Sequence, residues 1–151
     1  MNIQIYRTQD RDFLANYFVK ERVWELSSSG KPWTSKEFVL NPELLYLVAA
    51  DGHEVLCVFV IDPWTEKTVE MHLHCRRKYW GKGIIDPCLD ELKKVLHDTL
   101  KYDILVTSSP RLCTEVLEVL RRNNCHQVGC IEGGTAYKGE TCDMLLFSYK
   151  L

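Results

Sequence analysis

Glu70-Met71-His72-Leu73-His74-Cys75-Arg76-Arg77-Lys78-Tyr79-Trp80-Gly81-Lys82-Gly83-Ile84-Ile85 is the stretch on which the reading of this chain turns. Its first half alternates as a strand does, and its second half carries two glycines one residue apart. Helical spacing follows at once, with Ile85, Leu89, Leu92, Leu96 and Leu100 on one stripe. Glycine lets backbone N–H groups approach a ligand closely, and a helix start offers unpaired donors at the positive end of a dipole. A strand–glycine–helix junction of this kind is an anion site, with Lys82 set between the glycines.

Period-two alternation puts Glu70, His72 and His74 on one face of the strand, and Met71, Leu73 and Cys75 on the other. A carboxylate and two imidazoles on one face suit the deprotonation of an ammonium group. The same residues could equally be hydrogen-bonded structural groups. A metal reading of His72 and His74 lacks a second Cys/His pair at finger-like spacing, so no metal is expected. Arg76, Arg77 and Lys78 precede the glycine loop and are read as phosphate partners.

Outside this stretch the chain is ordered as one domain over residues 1–151, without repeat or linker. Ile3 and Ile5 open a first strand, and Thr8-Gln9-Asp10 caps a helix bearing Phe13, Leu14, Tyr17 and Phe18 on one face. Ser27 to Pro32 reads as a loop, followed by a short helix from Ser35 to Leu40. Leu44–Ala50 and Glu54–Asp62 are strands around an Asp51-Gly52 turn, and Thr68–Cys75 is the next. Tyr102–Thr107 is a short strand, and Ser109-Pro110 is expected to start a helix with inner face Cys113, Val116, Leu117 and Leu120. Asn123-Asn124 ends it. Cys125–Glu132 and Cys142–Tyr149 close the chain around a loop containing Gly133, Gly134 and Gly139. The class is α/β, a mixed central sheet with flanking helices.

A net charge of -2 disfavours nucleic acid as the main partner. The longest apolar run, Val55–Ile61, is too short for a bilayer, and the first residues lack the pattern of a signal peptide. Seven cysteines, an odd count with no Cys-x-x-Cys, read as reduced thiols of a cytoplasmic protein.

With this element order, the Glu70 strand, the Tyr79-Trp80-Gly81-Lys82-Gly83-Ile84 loop, and Gly129, Gly139 and Asp143 near the end, the chain resembles the GNAT superfamily of acetyl-CoA-dependent N-acetyltransferases. It is most similar to the branch holding the ribosomal-protein N-terminal acetyltransferases. The resemblance implies splayed middle strands, with acetyl-CoA lying between the fourth and fifth. It implies cofactor contacts from Cys75, Arg76, Arg77, Trp80, Gly81, Lys82, Gly83, Ile84 and Ile85, and a backbone donor to the thioester near Cys75 to Arg77. It also implies an amine acceptor, small molecule or protein, attacked directly in a ternary complex, with Glu70 or His72 taking the proton. The residues do not fix the oligomeric state.

Several positions depart from the family pattern. Ile85 stands for a small residue, Asp86-Pro87 follows directly, and Cys113, Val116 and Leu120 replace polar groups and a tyrosine. Asn124-Cys125 stands where the family has Gly-Phe. Asp86 is expected to cap a helix running from Pro87, where its charge would oppose a pyrophosphate. These departures define the alternative, a GNAT-fold module with a structural or interaction role. Loops 27–36 and 132–141 are expected to shape the acceptor site.

Overall fold

The computed structural model describes residues 1–26 and 32–151. Seven strands and three α-helices follow in the order β1 (Ile3–Thr8), α1 (Arg11–Lys20), β2 (Leu45–Asp51), β3 (Glu54–Pro63), β4 (Thr68–Cys75), α2 (Ile85–Lys94), β5 (Ile104–Pro110), α3 (Thr114–Arg122), β6 (His126–Tyr137) and β7 (Glu140–Lys150). The strands hydrogen-bond in the order β1-β2-β3-β4-β5-β7-β6, antiparallel from β1 to β4 and parallel between β4 and β5. The expected mixed α/β sheet is therefore present.

The chain condenses into two units, Met1–Thr8, Pro42–Thr107 and Ser148–Leu151 in the first, Gln9–Asn41 and Ser108–Phe147 in the second. In the first unit, β2 and β3 are apolar on both faces, and Val48, Val58, Phe59 and Ile61 are fully buried. Helix α2 buries Ile85, Cys88, Leu89 and Leu92 on one stripe, as its spacing requires. It continues as a wider turn over Val95–Thr99, closed by Leu100 N–H donating to Val95 C=O at 3.0 Å. That widening ends the stripe, so Leu96 is buried and Leu100 is exposed.

In the second unit, Asp10 caps α1 by accepting from Phe13 N–H at 2.9 Å, and Leu14, Ala15, Tyr17 and Phe18 form its buried face. The helix expected over 35–40 is a single turn. Thr34 and Glu37 close it reciprocally, and the Arg11 guanidinium takes the carbonyls of Ser35, Lys36 and Phe38, which would otherwise continue a helix. The expected loop over 27–32 falls, except for Pro32, outside the described residues.

Several boundaries differ from expectation, three of them in ways that change the reading. The helix placed at Ser109-Pro110 begins at Thr114, because both residues remain in β5. Gly133 and Gly134 lie inside β6, where Gly133 N–H donates to Asp143 Oδ1 at 3.1 Å, and the hairpin turn is Lys138-Gly139. Both turn residues have positive φ, 50° and 81°, the pair that a tight antiparallel hairpin demands. The β2–β3 turn is likewise Gly52-His53, one residue later than expected.

The pairing of β4 with β5 is short. It covers Thr68↔Ile104, Val69↔Leu105 and Glu70↔Val106, while β4 keeps β3 as its partner up to Cys57↔Cys75. Just beyond the last parallel pair, the buried Thr107 hydroxyl donates to Met71 C=O at 2.9 Å, a side chain standing in for a ladder bond. Thr107→Val should cost about 1–3 kcal/mol by leaving that carbonyl unsatisfied, and Thr107→Ser should recover most of it, measured by urea denaturation. Equal stability of the valine variant and the wild type would show that the bond does not hold the junction.

Candidate active site

Where β5 stops pairing, β4 keeps one edge without a register partner. Arg76 N–H donates to Leu56 C=O at 3.1 Å, so Leu56 and Arg76 form a hydrogen-bonded pair. In an antiparallel ladder the next pair, Cys57 and Cys75, then turns its peptide groups away from the partner strand. Cys75 thus directs its N–H and C=O to the side that β5 has left. The indole of Trp80 takes the carbonyl, with Nε1 donating at 3.1 Å. The expected backbone donor near Cys75 to Arg77 narrows accordingly: Arg76 N–H is spent on β3, and Cys75 N–H faces the open edge.

After Cys75 the chain makes one tight turn, with Tyr79 N–H to Arg76 C=O at 2.9 Å and Trp80 N–H to Arg77 C=O at 3.1 Å. Gly81 and Gly83 then adopt φ of 70° and 69°, which side-chain-bearing residues rarely hold. A Cβ built on either meets no atom within 4 Å, so open space lies over the loop. Among the described residues, no acceptor takes the backbone N–H groups of Gly81, Gly83, Ile84 or Ile85. Four donors at the head of a ten-residue helix, over open space, fit a phosphate group.

Helix α2 starts at Ile85, two residues before the expected Pro87, and no side chain caps it. Asp86 sits within the first turn, so the capping role expected of it is not realised. The helix head keeps its N–H donors uncapped instead.

Three thiols lie close together near the start of this loop. Cys57 on β3 is fully buried, directly across the ladder from Cys75 at the end of β4, with the buried Cys88 of α2 as its other thiol neighbour. Those contacts and burial push the Cys57 thiol up, so it is a packing group and not a nucleophile. All seven cysteines are free thiols.

The basic run is partly committed elsewhere. Lys78 pairs with Glu54 on β3, Arg76 Nη1 lies 3.9 Å from the same carboxylate, and Arg77 stacks on the Trp80 ring with its Cζ 5.3 Å from the centroid. The hydrogen bond from Lys78 holds the Glu54 carboxyl below its ordinary value. Lys82 is exposed at the loop tip.

Glu70 lies at the last β4–β5 pair, its side chain 18% exposed, with His72 Nε2 3.7 Å from Oε1. Oε2 accepts from Trp64 Nε1 at 3.2 Å. Sequence reasoning missed Trp64; its one signal was the Pro63-Trp64 step into the turn before Glu70. Leu120, expected on the inner face of α3, is buried there, and Cys113, expected on the same face, is buried at the N-cap position just before the helix. Among the described residues no group of three His, Cys, Asp or Glu side chains is arranged to hold a metal ion.

No family model matches the chain, and no curated protein does. Solved structures match over nearly its whole length. An acetyltransferase from Salmonella typhimurium that modifies the N-terminal serine of ribosomal protein L7/L12 superposes with a TM-score of 0.80 at 13% identity, over 100% of this chain and 96% of that one. A ribosomal L7/L12 α-N-protein acetyltransferase in complex with coenzyme A gives 0.80 at 13%, over 100% and 95%. A GNAT-family acetyltransferase from Bacillus anthracis gives 0.77 at 13%, over 99% and 95%. The fold is the GNAT fold. Within it, the strand pair that parts after Glu70 and Val106 is the splayed middle pair that the resemblance implies.

His74, third on the Glu70 face, has its imidazole pushed down to about 4, by burial first and by His72 second. Unfolded, the ring takes a proton near its ordinary 6.5; folded, it resists until about 4. Between those values the unfolded chain binds the extra proton, so stability falls as pH drops through the window, by up to about 3 kcal/mol. Denaturation at pH 7 and pH 4 should show His74→Gln losing less stability than wild type by that order. Identical losses would mean His74 is protonated in the fold.

Proposed function

We propose that the chain is an acetyl-CoA-dependent N-acetyltransferase acting on a primary amine. The observation that carries this reading is the open β4 edge leading into a left-handed glycine loop at a bare helix start. Acetyl-CoA, as co-substrate, supplies the activated acyl group. Gly81, Gly83, Ile84 and Ile85 would hold its pyrophosphate through backbone N–H groups, with Lys82 and Arg77 as nearby cations. Cys75 N–H is the donor available to a thioester carbonyl. Trp80, clamped to Cys75 C=O, keeps the loop at that distance from the strand.

An amine attacks only when neutral, and Glu70 would receive its proton; the His72 imidazole 3.7 Å from its carboxylate supports this reading. The structural neighbours named for acting on a ribosomal protein make a peptide α-amine one acceptor to try, alongside small amines. No nucleic-acid or membrane partner enters this reading.

Calorimetry with coenzyme A and a thiol-release assay over a panel of small amines and serine-initiated peptides test the proposal. Gly81→Val should weaken coenzyme A binding roughly tenfold or more, since a β-branched residue cannot hold that φ. A folded variant with unchanged affinity would remove the loop from the site. Glu70→Gln should lower turnover about a hundredfold while leaving coenzyme affinity nearly unchanged. Full turnover in that variant would exclude Glu70 as the base, and absence of coenzyme binding by wild type would favour the interaction-module alternative.

A further inference from the structure

We infer that Trp64 is a positioning residue for Glu70: its indole N–H holds one carboxylate oxygen so that the other faces His72 and the acceptor amine. The inference rests on the proposed role of Glu70, and its geometry stands on its own. Trp64 Nε1 donates to Glu70 Oε2 at 3.2 Å, while Oε1 is the oxygen near His72 Nε2 at 3.7 Å. The two oxygens are thereby given different work, one anchored and one presented.

The turn that carries Trp64 is built to hold it in place. Pro63 ends β3, Trp64 N–H and Thr65 N–H both donate to Thr68 C=O, at 3.0 and 3.2 Å, and Thr65 Oγ1 accepts from Lys67 and Thr68 N–H at 3.1 and 3.0 Å. Such a closed turn fixes the indole six residues ahead of Glu70, yet 54% of the residue remains exposed. A large apolar ring left open to solvent beside a mostly covered carboxylate offers an apolar wall to an incoming acceptor as well as a hydrogen bond.

The other groups around that carboxylate within its unit are His72 on β4, Asp62 as direct partner on β3, and apolar Val106 as partner on β5.

The first test needs no substrate. In the 1H–15N spectrum at neutral pH, the Trp64 indole resonance should shift clearly in Glu70→Gln and keep its position in His72→Gln and Asp62→Asn. An indole resonance that ignores Glu70→Gln would overturn the contact. The second test uses acetyl transfer to a serine-initiated peptide. Trp64→Phe keeps the ring and loses the donor, so kcat for the peptide should fall roughly three- to tenfold while KM for the peptide and coenzyme A affinity hold. A Trp64→Phe variant with wild-type kcat, or one that loses only KM, beside an inactive Glu70→Gln, would overturn the positioning role alone. Full activity in Glu70→Gln would instead overturn the base assignment on which it rests.

Discussion

The three-residue pairing of β4 with β5 is the constraint from which the rest of the site follows. A longer parallel ladder would satisfy the peptide groups of Leu73 and Cys75 internally and leave no edge for a ligand. The pairing ends at Glu70↔Val106, and the Thr107 hydroxyl satisfies the Met71 carbonyl at the point of departure. Buried peptide groups must find partners, so an edge opened inside a sheet is stable only where each group has water, a side chain or a bound molecule to meet. Trp80 meets the Cys75 carbonyl. The N–H of the same residue points to the open side.

The loop beyond is held from both ends without spending its own donors. Lys78 and Arg76 reach back to Glu54 on β3, and the thiols of Cys57, Cys75 and Cys88 pack β3, the end of β4 and the first turn of α2 together. Charge and packing thus fix the backbone while Gly81 and Gly83 turn left-handed. A preorganised loop of this kind binds an anion without having to order itself first, which is where affinity is otherwise lost. The run Arg76-Arg77-Lys78 serves the loop's anchoring more than its sequence suggested, because Glu54 lies across the strand pair and far along the chain.

Local chemistry made much of this legible in the sequence. The β4 limits, the α1 cap at Asp10, the stripe from Ile85 to Leu96 and the left-handed Asn124 at the end of α3 all follow from short-range rules, and the structure places them as read. The misreadings share a different cause. Ser109-Pro110 carries a helix-start signal, but both residues remain in β5 and the helix waits until Thr114. Ser35–Leu40 has helical composition, but Arg11, distant in sequence, takes its carbonyls. Glycines 133 and 134 look like a turn, while Lys138-Gly139 supplies the turn. Trp64 was invisible as a site residue because the pattern that placed Glu70 on a face says nothing of a side chain six residues earlier across a turn. In each case a long-range contact, or a turn's exact conformation, decided the outcome.

The central claim is that the open β4 edge and the glycine loop together receive the coenzyme. Amide hydrogen exchange with and without coenzyme A tests it most directly, residue by residue. The account predicts strong added protection at Gly81, Gly83, Ile84 and Ile85 and at Cys75, with Leu56-bonded Arg76 already slow in the free protein. Saturating coenzyme A that leaves those amides at their free rates, or protects a different segment of the chain, would contradict it.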